Sequence, residues 1–235
     1  MLGMELCGTS AHQTIGDQAS RAFFRQPRRT PDDTLETRWN GPKITPATTA
    51  TELDDYLANL TRIKGVGPAR KALRYLMDGS ASPGESILAI MTTPPCHLGG
   101  YGFKDVRLNP AIPVDGARRR LTRADAYHPD CYLKQLDIDL EYESNLHHSK
   151  PSDIAHDKAR RNDIQALGIE VWDVTWDMLS HIDSLDLLFD QILERERARG
   201  FDKRGSHARR VHHPDNRAAR ALRLRQLLPS WPYEQ

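Results

Sequence analysis

The segment Leu136-Asp137-Ile138-Asp139-Leu140-Glu141-Tyr142-Glu143 alternates strictly between apolar and acidic side chains. A period of two belongs to a β-strand with one buried and one polar face; in a helix the same residues would be scattered around every side. The alternation predicts Leu136, Ile138, Leu140 and Tyr142 on a core face, with Asp137, Asp139, Glu141 and Glu143 opposite. Four carboxylates on one face repel unless water covers them, as at an exposed sheet edge, or a positive group answers them. Just upstream, Tyr127 to Leu133 reads as another strand, joined through Lys134-Gln135. A two-residue link makes the strands antiparallel neighbours and brings Asp130 toward Glu141. Such a pair could share a divalent cation, because hard cations such as Mg²⁺ take oxygen ligands and keep waters. That combination suits activating water against a phosphodiester.

The surrounding pattern sorts the chain into four stretches. Residues 1–50 are rich in Thr, Arg, Gln and Pro without periodicity and read as loop or linker. Residues 51–80 are helical: Thr51 is placed to cap a helix carrying Leu53, Tyr56, Leu57 and Leu60, and Ala69 to Met77 resumes after Gly65-Val66-Gly67-Pro68. That Gly-rich turn resembles a helix-hairpin-helix loop, whose glycines let backbone N–H groups approach a DNA phosphate. A plain connection between two packed helices would read the same way. In Ser82-Pro83-Gly84-Glu85, Ser82 suits an N-cap, Pro83 the first helical position and Glu85 the return partner of a capping box. The helix it opens runs through Ile87, Leu88 and Met91. Val106 to Leu108 and Ala111 to Val114 look like short strands, Ser152 to Leu167 like a helix closed by Gly168, Ile169 to Trp176 like a strand, and Ser184 to Arg199 like a helix. Helix, strands, helix, strand, helix is a mixed α/β unit over residues 81–199. Residues 200–235 form a basic helical arm.

Composition matters through its distribution. The chain of 235 residues carries 33 Lys+Arg and 32 Asp+Glu, a balance that would ordinarily speak against a nucleic-acid partner. Yet Asp125 to Glu194 holds 16 acids against 5 bases, and Arg195 to Gln235 holds 11 bases against 4 acids. Such blocks fit a solvated surface beside an oppositely charged tail, or a carboxylate-rich metal site beside a phosphate-binding arm. In the arm, Arg209, Arg210, Arg217, Arg220, Arg223 and Arg225 lie at helical spacing, with Leu222, Leu224, Leu227 and Leu228 as an apolar side. The longest apolar run, Ile87 to Met91, is far below the roughly 20 residues that span a bilayer, so no membrane partner is expected. Cys7, Cys96 and Cys131 lack metal-site spacing and are odd in number, which signals neither zinc nor a disulfide framework. Met1 to Gln13 has no basic, apolar leader pattern. A cytoplasmic protein is the expectation; protein partners or a homodimer are not derivable.

Pro129-Asp130, ten intervening residues, then Glu141-Tyr142-Glu143-Ser144-Asn145-Leu146-His147-His148 resembles the core of restriction-endonuclease-like PD-(D/E)XK domains. It is similar to the very-short-patch-repair-type branch, which carries Glu-x-Asp-Gly/Ser followed by a histidine. Asp157-Lys158-Ala159-Arg160-Arg161 resembles that branch's Asp-x-x-Arg helix, Leu167 to Trp176 its Gly turn and last core strand, and Ser82 to Glu85 its opening helix. The resemblance spans about residues 81–194. It implies a mixed central sheet flanked by helices, and a DNA endonuclease in which Asp130 and Glu141 bind Mg²⁺ (or Mn²⁺), with the Tyr142 carbonyl as a possible third ligand. Glu85 would lie at the edge of the site, and His148 would assist proton transfer or hold a phosphate. Arg161 would contact DNA or pair with Asp157. Glu143 stands where relatives have Lys or Asp: it cannot stabilise transition-state charge as Lys does, but could bind a second metal or act as a general base. Glu143-Ser144 also replaces the usual Asp-Gly. The rival expectation is a catalytically inactive nuclease-fold protein that binds DNA or regulates, in the manner of an antitoxin.

Overall fold

The computed structural model describes residues 46–122, 124–143 and 151–228, with the backbone alone for 151–157. Its first elements are helices α1 (Ala50–Ala58) and α2 (Val66–Leu73). The α1 cap is Thr49 rather than the expected Thr51. Glu52 lies three residues after Thr49, so backbone N–H and carboxylate can reciprocate: Glu52 N donates to Thr49 Oγ1 at 3.1 Å and Thr49 N to Glu52 Oε2 at 2.8 Å. Gly65 enters α2 at φ 96°, a left-handed conformation open to glycine. The α2 helix stops at Leu73, short of Met77. Leu76 and Met77 instead pack against the core as irregular chain.

Helix α3 (Pro83–Thr92) begins as its sequence predicts, with Pro83 at the first turn and Glu85 N donating to Ser82 Oγ at 3.1 Å. The Glu85 carboxylate does not complete the capping box. It turns to Ala81 N and Asn109 instead. Strands β1 (Val106–Leu108), β4 (Cys131–Leu133), β5 (Ile138–Glu143) and β6 (Glu170–Thr175) form a sheet in the order β1-β4-β5-β6. The β2 (Ile112–Pro113) and β3 (Ala126–Tyr127) strands pair separately. The β4/β5 pair is antiparallel, as expected, with Cys131 opposite Leu140 and Leu133 opposite Ile138. Its connection is longer than two residues: Lys134–Leu136 make a 3₁₀ turn and Asp137 caps it at φ 44°. Leu136 and Asp137 therefore leave the strand. Parallel pairing of β5 with β6 needs a crossover, supplied by α4 (Pro151–Ala166).

The pleat then divides the sheet. Cys131, Leu133, Ile138, Leu140 and Val174 face a core shared with α3, α5 (Trp176–Ser180) and α6 (Ile182–Ala198). On the other face, Tyr127 and Tyr132 join Ile164 and Leu167 from the α4 region in a smaller cluster. Helices α7 (Ser206–Val211) and α8 (Pro214–Leu227) bring Val211 and Leu224 into the larger core. Leu224 is buried as its spacing suggests, whereas Leu222 points out, 57% exposed. The molecule is thus a mixed α/β structure whose mixed sheet is flanked by helices. Among the described residues no helix is long and apolar enough to cross a membrane.

Candidate functional site

The acidic face of β5 is covered, not left at an open edge. Tyr132 opposes Asp139 across β4/β5, and α4 lies over this side. Asp139 is 0% exposed. Tyr127 donates its phenol to Asp139 Oδ2, and the same hydroxyl reaches Glu141 Oε1 at 2.9 Å. Arg160 of α4 places Nη1 2.7 Å from Glu141 Oε1, with its guanidinium 5.1 Å from the Tyr127 ring centre. The positive group demanded by the four acids therefore comes partly from the next helix.

Continuing the β4/β5 register one step sets Asp130 opposite Glu141. Asp130 Oδ2 accepts from Tyr142 N at 3.0 Å. From across the core, the first turn of α3 delivers Glu85, 6% exposed, whose Oε2 accepts from Ala81 N at 2.8 Å and Asn109 Nδ2 at 2.6 Å. Helix and strand can meet here because position 84 is glycine: a Cβ there would run into the Tyr142 ring. Burial pushes the Asp130 carboxyl well above the usual carboxylate range, and the Glu85 and Glu141 charges add to it. Asp139 is pushed up by burial and by Glu141 and Asp130, against the lowering hydrogen bond of Tyr127. Burial also raises Glu85. These carboxylates pay for proximity in electrostatic repulsion, which protonation, a guanidinium or a metal ion can relieve.

The donor set suits a hard cation: carboxylate oxygens crowd together, and Asp139 Oδ1 is buried without a hydrogen-bond partner. Among the described residues, however, no three His, Cys, Asp or Glu side chains already stand close enough to cage an ion. Holding an ion here would require side chains to move, foremost Arg160 away from Glu141.

The structure brings together Glu85, Asp130 and Glu141 from the sequence-derived set. Glu143 ends β5, exposed, where its charge acts on Arg161. Arg161, expected at DNA or Asp157, is bound to Asp173 of β6. His148 lies outside the described residues, as does the side chain of Asp157. Asp125 pairs with Arg119. Two arginines of the basic arm expected on phosphates instead have internal carboxylate partners. Arg217 is taken up by Asp183 and by Asp186, the latter at 2.9 Å. Arg220 is 1% exposed, 3.1 Å from Asp186 and stacked 4.6 Å over the Tyr101 ring. Helical spacing cannot separate a solvated arginine from one whose counter-ion comes from another helix. Arg209 is exposed, with Nη1 2.6 Å from the Arg204 carbonyl.

Sequence reasoning missed Asn109, Tyr127 and Arg160 as site residues. Only Arg160 carried a signal, its place in Asp157-x-x-Arg160. It also passed over Arg118-Arg119-Arg120, a basic 3₁₀ turn (Gly116–Arg120) whose neighbour Thr122 bonds Asp163 of α4 at 3.2 Å. No protein-family model matches the chain, and neither does any curated protein or solved structure.

Proposed function

We propose that the protein is a metal-dependent phosphodiester hydrolase acting on DNA, with a restriction-endonuclease-like core. The observation that carries this reading is the gathering of Glu85 from α3, Asp130 from the residue before β4, and Asp139 and Glu141 from β5. Crowding mutually repelling carboxylates, two of them buried, costs stability that a bound cation would offset. Asp130 and Glu141 hold the cation, with the Tyr142 carbonyl available beside them. When bound, Mg²⁺ or Mn²⁺ supplies neutralisation of phosphate charge and acidification of water. Tyr127 fixes the orientation of Asp139 and Glu141, while Asn109 and the Ala81 amide hold Glu85. Once released from Glu141, Arg160 faces charge developing on the phosphate, the task that Glu143 cannot perform. Arg118 and Arg120 supply backbone-phosphate contacts next to α4.

The test is nicking of supercoiled DNA by the purified chain with Mg²⁺ or Mn²⁺. Activity should fall at least about 100-fold in Glu141→Gln and Asp130→Asn, losses of about 3 kcal/mol or more in transition-state stabilisation. Equal rates for wild type and Glu141→Gln would end this reading.

A second reading rests on the Arg160–Glu141 contact. A guanidinium already standing where charge relief is needed suits a metal-free scaffold that binds DNA without cutting it, as in an antitoxin-like regulator. Calorimetric titration with Mn²⁺ separates the two: binding abolished by Asp130→Asn supports the hydrolase, and no binding supports the scaffold.

A further inference from the structure

At the far end of α3 from the carboxylates, about 12 Å along the helix at 1.5 Å per residue, lies a cavity of about 500 Å³. Its rim carries Arg74, His97, Lys104 and Arg210, drawn from the end of α2, the turn after α3, the approach to β1 and α7. All four are exposed, and none of their side chains makes a hydrogen bond or ion pair within the described residues. The single acid on the wall, Asp105, lies 3.4 Å from Arg107 and is answered by it. His207 forms part of the floor, held by Glu196 at 2.7 Å and by the Tyr101 carbonyl at 2.7 Å.

Elsewhere on α8 this chain matches arginine with aspartate, at Arg217 and Arg220. Here Arg74, Lys104 and Arg210, from three separate segments, border one hollow whose single lining acid, Asp105, is already paired with Arg107. Like charges around a concavity repel, and a ligand carrying two or more negative charges would relieve that repulsion. The hollow is far larger than an inorganic phosphate and lies in the range of small-ligand sites. Half-buried Tyr75 on its wall offers an aromatic face on which a base can stack. We infer that this cavity is a nucleoside-phosphate site, separate from the carboxylate cluster, with Arg74, Lys104 and Arg210 on the phosphates and Tyr75 against the base. The ligand is either a free nucleotide or the phosphorylated end of a nucleic-acid strand.

The experiment is calorimetric titration of the full chain in EDTA with AMP, ADP, inorganic phosphate, and a short single-stranded oligonucleotide bearing a 5′-phosphate or a 5′-hydroxyl. Binding of AMP or ADP below about 100 µM identifies a free nucleotide. At least about tenfold preference for the 5′-phosphorylated over the 5′-hydroxyl oligonucleotide identifies a strand end. In either case Lys104→Glu/Arg210→Glu should weaken binding by about tenfold or more, while Asp130→Asn leaves it unchanged. Because the substituted side chains are exposed, the double variant should keep the wild-type circular dichroism, and Lys104→Gln/Arg210→Gln provides a milder check. The inference is overturned if AMP, ADP and the 5′-phosphorylated oligonucleotide all fail to bind at millimolar concentration. It is also overturned if binding survives the charge reversals, or if inorganic phosphate binds as tightly as AMP.

Discussion

His207 ties the start of α7 to the middle of the chain, and its protonation should be measurable as stability. The imidazole is 6% exposed. Burial works against its charge, but hydrogen bonds to Cys96, Glu196 and the Tyr101 carbonyl, together with the Glu196 charge, outweigh it. They raise its pKa from 6.5 to about 10. From the other side Asp202 caps the backbone N–H of His207 at 2.8 Å, and the Phe103 ring meets the imidazole edge-on at 4.8 Å. The native state thus binds a proton that the unfolded chain gives up near pH 6.5. The contribution is complete below pH 6.5, declines by about 1.4 kcal/mol per pH unit as pH rises, and is gone near pH 10. The whole interval has a ceiling of roughly 5 kcal/mol, of which relaxation of the site will leave a part. Urea unfolding of wild type and His207→Gln, measured from pH 6 to 10, reads it as a difference. Comparing the two chains cancels the titration of Asp130 and Asp139, whose raised pKa values also erode stability as pH climbs. The stability gap should be largest at pH 6 and close by pH 10. A gap constant across that range would refute the claim that the charged imidazole does the stabilising.

Other perturbations follow from the same contacts. Arg220→Met removes the buried guanidinium from Asp186, which keeps Arg217 and the Tyr101 hydroxyl, and from the Val211 carbonyl, and should cost about 2–3 kcal/mol in urea unfolding. Arg217→Ala, which removes exposed ion pairs on the same helix, should cost no more than about 1 kcal/mol. Gly84→Ala drives a methyl group into the Tyr142 ring and should lower stability by about 1–3 kcal/mol through overpacking, visible as a lower thermal midpoint. Asp139→Asn keeps an acceptor for Tyr127 while removing a charge that burial disfavours. It should stabilise the protein by about 1 kcal/mol at pH 9 and have little effect at pH 4, where the native carboxyl is already protonated.

Much of the framework was legible in local chemistry. Ser82-Pro83 announces α3 because a cap and a proline act within one turn. The alternation through Ile138, Leu140 and Tyr142 announces β5 because pleating is a property of the strand itself, and it carries Asp130 toward Glu141 once the hairpin is granted. Local chemistry marked Glu85 only as a capping residue and the family resemblance set it at the edge of the site; its approach to Asp130 requires α3 to pack on the sheet. Asp139 reads as a surface acid from its neighbours and becomes buried only when α4 folds over β5, delivering Arg160 from 19 residues downstream of Glu141. Arg220 reads as a DNA contact until Asp186, 34 residues earlier, lies beside it. Helix spacing, strand period and caps follow from interactions spanning a few residues. Which charge is buried, and which partner neutralises it, depends on segments far apart in sequence that meet only in the packed molecule.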